Sequence, residues 1–276
     1  MLGKLLKQEF RATGRIMLPV FGALVILSVL GNFSMRMLDS GMSNNGILGF
    51  LAVFFIGVFI FGMVAAVIMT LVLMISRFYR NLLKDEGYLM HTLPVSVHGL
   101  IWSKLIVSLV WMLLTNVIIF LLGGLSVMHL TNMNLGAFLE GFPSVEELRQ
   151  FLSSVGLSMG DLYLFLGEMV VAVVLSGIVT CLQFYAAMSL GFSFTNHKGL
   201  MSVLCFVGIL IVLNTLTNFL GVREVENLTE VTVDSFRGGM QVAQGTVGKA
   251  LLYTVFQGAL LYLATVLGLK KGLNLA

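Results

Sequence analysis

Long stretches without a charged residue alternate with short polar stretches along the chain. Six stretches of 20 to 37 residues contain no Asp, Glu, Lys or Arg: 16–35, 40–76, 105–139, 169–197, 199–222 and 250–269. A helix needs about 20 apolar residues to cross the hydrocarbon core of a bilayer, which is about 30 Å thick. Each stretch therefore predicts one membrane-spanning helix, or span. The predicted spans cover about 16–34, 47–76, 101–128, 162–192, 199–221 and 247–269.

The polar segments between the predicted spans differ in length and in turn chemistry. Residues 40–46 are a polar sequence typical of a turn, so the long stretch 40–76 is expected to hold one helix rather than two. Within the segment 129–161, Ser144 and Glu147 have the spacing of a capping box, in which each side chain satisfies the other's backbone N–H. Ser158 to Asp161 has the character of a helix start ahead of the fourth span.

Composition agrees with a membrane protein. Of the 276 residues, 58% are apolar and only 11% are charged, and the mean hydropathy is +1.00. A soluble domain carries about 25% charged residues, and disordered or collagen-like chains have quite different compositions. We therefore expect an all-α, polytopic membrane protein with a single transmembrane domain over residues 1–276.

The positive charges are distributed asymmetrically between the two sides of the predicted bundle. Six spans place both termini on one side, and 11 of the 16 Lys and Arg residues fall on that side. Because positive charge is enriched in cytoplasmic segments, both termini are expected to be cytoplasmic. The loop 77–100 is then cytoplasmic, whereas the segments 129–161 and 222–246 lie outside.

The N-terminal residues 1–15 have an amphipathic pattern. Leu2, Leu5, Leu6 and Phe10 share one helical face, opposite Lys4, Lys7, Gln8 and Arg11. This pattern predicts a helix lying in the membrane interface, with its lysines near anionic headgroups. The alternative interpretation is a basic tail that is merely solvated.

Residues that would support catalysis or metal binding are scarce. Cys181 and Cys205 lie in apolar runs, and the four histidines fall at or outside the span ends, so neither a disulfide framework nor a metal site is expected. The chain lacks the G-x-x-x-x-G-K-[ST] pattern of a P-loop, so we expect no enzymatic activity and no cofactor bound by this chain. Glu168 is the one charge expected inside a span, where it either pairs with Lys249 or reaches the outer interface.

The cytoplasmic loop contains apolar residues where water-exposed ones would be expected. Tyr88, Leu89, Met90 and Leu93 lie close to the charged residues 84–86. Apolar side chains bordered by charge indicate a docking patch. A connector that follows the membrane surface is the alternative.

The same loop resembles a known family. Glu86-Gly87-Tyr88-Leu89, followed by Thr92-Leu93-Pro94-Val95-Ser96 and then Ser103-Lys104-Leu105, is similar to the permeases of ATP-binding-cassette exporters of the second type. The layout of six spans with an amphipathic entry helix is also similar. The resemblance implies a short coupling helix between spans two and three that docks on a separate ATPase. The implied contact residues are Arg80, Lys84, Asp85, Glu86, Tyr88, Leu89, Leu93 and Pro94.

The resemblance also implies partners and a transport path. The partners would be two copies of an ATPase, which bind ATP and Mg, and a second permease subunit that is identical or related. They would act in the lipid bilayer of the cytoplasmic membrane, with no nucleic acid involved. Sparse polar groups suit an amphipathic or hydrophobic cargo, such as a peptide antibiotic, a drug or a lipid-like molecule. The candidate path residues are Phe54, Phe55, Phe59, Asn116, Gln183, Asn214 and Thr215.

Two other functions stay open at this point. A membrane anchor or sensor subunit would bind a cytoplasmic partner through the same loop without moving a solute. A secondary carrier would need ionisable groups near the middle of the membrane, and the sequence offers almost none.

Overall fold

The computed structural model describes residues 2–39, 46–83, 97–130, 136, 141, 143–194, 197–219 and 236–272. The predicted coupling residues Lys84, Asp85, Glu86, Tyr88, Leu89, Leu93 and Pro94 lie outside these ranges. The elements are α1 (Leu2–Asp39), α2 (Gly46–Phe78), a π-helical turn (Tyr79–Leu83), α3 (Val97–Leu130), α4 (Val145–Ser154), α5 (Met159–Gly191), α6 (Lys198–Phe219) and α7 (Phe236–Gly272). The described part of the chain contains no strand.

The six predicted spans are confirmed by helices long and apolar enough to cross a membrane. These helical stretches are Gly3–Leu38, Gly46–Leu83, Val97–Met128, Met159–Gly191, Lys198–Phe219 and Gln244–Lys270. Several extend beyond the uncharged stretches, because helix formation needs only backbone hydrogen bonds and does not stop where the hydrocarbon ends. Part of the predicted loop 77–100 and part of the predicted outer segment 222–246 are consequently helical.

The N-terminal segment differs from the sequence prediction. Residues 2–15 do not form a separate interfacial helix but continue directly into the first span as α1. Leu6 and Phe10 pack against the buried cluster around Trp111 of α3, and the rings of Phe10 and Trp111 lie 6.4 Å apart. Leu6 and Phe10 on the apolar face of this segment are therefore partly covered by protein, whereas Lys4, Lys7 and Arg11 are exposed.

Both predicted helix starts within residues 144–161 are formed. The Ser144 hydroxyl accepts from the Glu147 N–H at 3.2 Å, and the Ser144 N–H donates to the Glu147 carboxylate at 2.8 Å. Ser158 and Asp161 make the same reciprocal pair at the start of α5. These local contacts satisfy backbone donors that the helices themselves leave unpaired.

The chain divides into two compact units. Unit 1 contains residues 1–77 and 102–142, and thus α1, α2 and most of α3. Its core consists of Met17, Phe21, Leu24, Ala66, Leu73, Val107 and Trp111. Unit 2 contains residues 78–101 and 143–276, and thus α4 to α7. Each unit holds three of the six spans, and the expectation of one transmembrane domain stays a prediction.

Unit 2 is built on close helix approaches. A Cβ added at Gly191 of α5 would lie 2.3 Å from the Cα of Ser202 in α6, and one at Gly268 of α7 would lie 2.8 Å from the carbonyl carbon of Ser189. Lipid supplies no hydrophobic drive for helix association, so dispersion contacts at such small residues hold the helices together. Tyr185 lies among them with no exposed surface.

Candidate functional site

A buried ion pair lies near the N-terminal ends of α1 and α3 in unit 1. The Lys104 ammonium of α3 donates to the Glu9 carboxylate of α1. Only 4% of the Lys104 side chain and 10% of the Glu9 side chain are exposed. Burying two charges costs several kcal/mol for each ion, so it is tolerated only when the charges are paired and hydrogen-bonded. The pair therefore holds the two helices in one register.

Hydrogen bonds continue from this ion pair into the bundle. The Thr13 hydroxyl donates to the Glu9 carbonyl at 2.8 Å, and the Trp111 indole N–H donates to the Thr13 oxygen at 2.8 Å. One turn further, the Thr115 hydroxyl donates to the Trp111 carbonyl at 2.8 Å. The hydroxyls of Thr115 and Thr70 are 3.0 Å apart. Polar contacts thus connect α1, α2 and α3 through one continuous chain.

A small cavity adjoins the ion pair. It is lined by Glu9, Thr13, Thr70, Leu73, Met74, Arg77, Lys104, Val107, Ser108 and Trp111. The space open to the centre of a water molecule is about 10 Å³, which is about the minimum for one water by that measure. This cavity is therefore too small for a drug-sized or peptide cargo. Two cations, Arg77 and Lys104, and one carboxylate face it.

The predicted coupling loop begins where the chain passes from unit 1 to unit 2. This passage falls between Arg77 and Phe78. Phe78 is fully buried and stacks on Tyr185 of α5 with ring centroids 4.0 Å apart. Tyr79 meets Phe192 edge to face at 5.3 Å. The chain entering the loop is thus fixed by aromatic packing on α5.

The chain leaving the loop is also fixed within unit 2. The His98 ring Nδ1 and the Tyr262 hydroxyl of α7 are 2.6 Å apart. The chain returns to unit 1 between Ile101 and Trp102. Lys104 follows within one turn and pairs with Glu9. The segment on either side of residues 84–96 is consequently attached to well-packed elements.

The structure describes one of the predicted coupling residues. Arg80 lies in the π-helical turn with its side chain exposed, whereas its neighbours Asn81 and Leu82 are buried. The exposed guanidinium leaves Arg80 available to a partner. The roles assigned to the coupling residues stay predictions.

The predicted path residues do not share one environment. Phe59 is 1% exposed. A Cβ added at Gly31 would lie only 3.1 Å from the Cβ of Phe59, so Phe59 packs closely against α1. Phe54 is exposed with its ring 5.8 Å from that of Phe55. Among the polar candidates, Gln183 is half-buried, and the other three are exposed: Asn116, Asn214 and Thr215.

The predicted outer ion pair is not formed between the two described residues. Lys249 is exposed, and no salt bridge joins it to Glu168. One carboxylate oxygen of Glu168, Oε2, is buried without a hydrogen-bond partner in the described part of the chain. Within the same ranges, no three His, Cys, Asp or Glu side chains are placed to hold a metal ion.

Sequence reasoning missed the ion pair between Glu9 and Lys104, although a signal for it was present. At 3.6 residues per turn, Glu9 falls between Leu5 and Phe10 on the apolar face of the N-terminal segment. A charge on an otherwise apolar face indicates a buried partner. For Lys104, the sequence gives only its place in the family-like sequence at the start of the third span.

Comparisons with known proteins give no relative. No family model, no curated protein and no solved structure matches the chain.

Proposed function

We propose that this chain is the membrane-spanning permease subunit of an ATP-driven exporter. It would work in the cytoplasmic membrane with both termini inside the cell. A second permease subunit, identical or related, would complete the path. Two copies of a separate ATPase would bind ATP and Mg and dock on the loop around residues 84–96. The cargo would be amphipathic or hydrophobic.

The observation that carries the proposal is the attachment of the loop at both ends. The preceding chain is packed on Tyr185 through Phe78. The following chain is held to Tyr262 through His98 and, one turn into unit 1, to Glu9 through Lys104. A force applied to a loop with loose ends would be lost in local motion. A loop fixed in this way would transmit the force to helices in both units.

The mechanism follows from that attachment. Closure of the ATPase on nucleotide would displace the loop, and the displacement would act on the ends of α2 and α3. Buried contacts such as the ion pair have discrete arrangements rather than a continuous range, so the bundle would switch between two states. In this cycle the nucleotide would bind to the ATPase, and the role of the chain would be mechanical.

The test is co-purification of the chain with an ATP-binding-cassette ATPase, taken from a neighbouring reading frame where one encodes it. We expect Glu86→Lys and Leu89→Asp each to reduce the recovered complex and its ATP turnover at least tenfold, because they place a wrong charge in the docking surface. The controls are on exposed positions of α4: Glu146→Lys matches Glu86→Lys, and Val145→Asp, an aliphatic residue changed to Asp, matches Leu89→Asp. Both controls should leave the recovered complex and its ATP turnover unchanged. Intact complex and turnover in both loop variants would show that the coupling proposal is wrong.

Transport in reconstituted vesicles separates the remaining alternatives. ATP-dependent movement of a hydrophobic dye by the complex supports the exporter. A stable complex that moves nothing indicates an anchor or sensor subunit. Movement by the purified chain alone, driven by an ion gradient, indicates a secondary carrier.

A further inference from the structure

One face of α1 is exposed along its whole length. At 3.6 residues per turn, its members fall within an arc of about 80°. We call them the outward face of α1: Lys4, Lys7, Arg11, Arg15, Leu18, Val25, Val29, Phe33 and Arg36, all of them exposed. The first four are basic and the next four are apolar. The face therefore changes from charged to apolar at one place, between Arg15 and Leu18.

The length of the apolar part matches a bilayer. From Arg15 to Arg36 the helix advances 21 residues, which is about 32 Å at 1.5 Å per residue. The hydrocarbon core is about 30 Å thick. Arg15 and Arg36 thus fall at its two boundaries. Arg11, one turn before Arg15, then lies at the level of the lipid phosphates.

The basic part of this face is not neutralised within the described chain. Glu9, the one acidic residue in the sequence from 1 to 38, is on the opposite side of α1 and is paired with Lys104. No salt bridge involves Arg11 or Arg15 in the residues that the structure describes. Gln8, Arg11, Ala12 and Arg15 line a shallow groove that is widely open to solvent.

We propose that Arg11 and Arg15 bind the phosphate of an anionic phospholipid whose acyl chains lie along Leu18 and Val25. A guanidinium matches the geometry of a phosphate with two parallel N–H donors, and Gln8 adds a neutral donor. Only an amphipathic ligand satisfies both the basic groove and the exposed apolar surface that follows it on the same face. An acidic protein segment would match the arginines but not the surface beyond them.

The site should distinguish anionic from zwitterionic lipids. A choline headgroup brings its own cation toward Arg11 and Arg15, which cancels the attraction to its phosphate. A basic residue near an anionic membrane surface contributes about a factor of five in binding. Loss of both arginines should therefore weaken the binding of an anionic lipid about 25-fold.

The experiment is native mass spectrometry of the full chain in detergent, titrated with dioleoylphosphatidylglycerol or dioleoylphosphatidylcholine. We expect Arg11→Gln/Arg15→Gln to raise the apparent Kd for the glycerol lipid about 25-fold and to leave that for the choline lipid unchanged. Lys249→Gln removes an exposed cation of α7 and should change neither. Arg11→Lys/Arg15→Lys keeps the charge and should give an intermediate Kd.

Several results would overturn the proposal. The first is equal binding of the two lipids. The second is a rise in the Kd for the glycerol lipid in Lys249→Gln as large as that in the double arginine variant. The third is displacement of the glycerol lipid by millimolar inorganic phosphate or by a poly-glutamate peptide. Melting of each variant without added lipid checks that it is folded. If the double variant does not fold, each single Gln variant should still raise the Kd for the glycerol lipid about fivefold. An unchanged Kd in both single variants would then contradict the proposed site.

Discussion

Removing one partner of the buried ion pair should be far more costly than removing both. In Lys104→Met the ammonium is replaced by an apolar group of similar length, and the Glu9 carboxylate stays buried without its cation. In Glu9→Leu the reverse occurs. The double variant removes both charges of the pair, and Arg77 is the cation that still lines the adjoining cavity.

The magnitudes follow from the burial of the two groups. With 4% and 10% of their side chains exposed, neither charge can recover its hydration by turning outward. Breaking such a pair costs about 3–5 kcal/mol, whereas replacing the whole pair by apolar residues is often neutral or stabilising. We therefore expect each single variant to lose about 3 kcal/mol or more. The double variant should lose less than either, which gives a coupling energy above about 3 kcal/mol.

The assay is reversible unfolding in mixed micelles of dodecyl maltoside and SDS, followed by circular dichroism. The matched control is the exposed pair of Glu146 and Arg149 on α4, whose side chains are 68% and 62% exposed at a separation of 3.6 Å. Exposed pairs contribute less than about 1 kcal/mol, so this second cycle should show little coupling. Additive losses at Glu9 and Lys104, or equal coupling in the two cycles, would refute the reasoning.

Two further predictions use the same unfolding assay. Gly191→Ala should lower the free energy of unfolding by about 1–3 kcal/mol, because its new Cβ would lie 2.3 Å from the backbone of Ser202. Gly167→Ala in the same helix has open space around the new Cβ and should be neutral or stabilising. Equal effects of the two variants would show that the close approach of Gly191 to Ser202 is not maintained in solution. Trp111→Phe should lower the free energy of unfolding by about 1 kcal/mol, because the hydrogen bond from the indole N–H to the Thr13 oxygen is lost. Thr13→Val should lower it by more, because the buried indole N–H of Trp111 then has no acceptor. In the double variant the two losses should not add, and a simple sum would contradict the hydrogen bond.

The sequence by itself determined the spans and the helix starts. A bilayer about 30 Å thick selects for uncharged stretches of about 20 residues, so the spacing of charges is enough to predict the spans. Capping boxes need only residues three positions apart, and both predicted starts, Ser144 and Ser158, are formed as expected. Helical periodicity also placed Lys4, Lys7 and Arg11 on one face, and all three are exposed.

The partner of each face was decided only by the tertiary structure. The apolar side of residues 2–15 is equally suited to lipid and to protein, and in the structure its Leu6 and Phe10 pack against the cluster that contains Trp111. Phe59 is an aromatic residue of the second span and was therefore a candidate for the transport path, yet it is buried against Gly31. Glu9 and Lys104 are 95 positions apart, and no local rule connects them. Periodicity fixes which residues share a helix face, because it depends on neighbours along one chain segment. Which helix that face meets depends on the packing of the whole bundle, and the ion pair of the candidate site exists only through that packing.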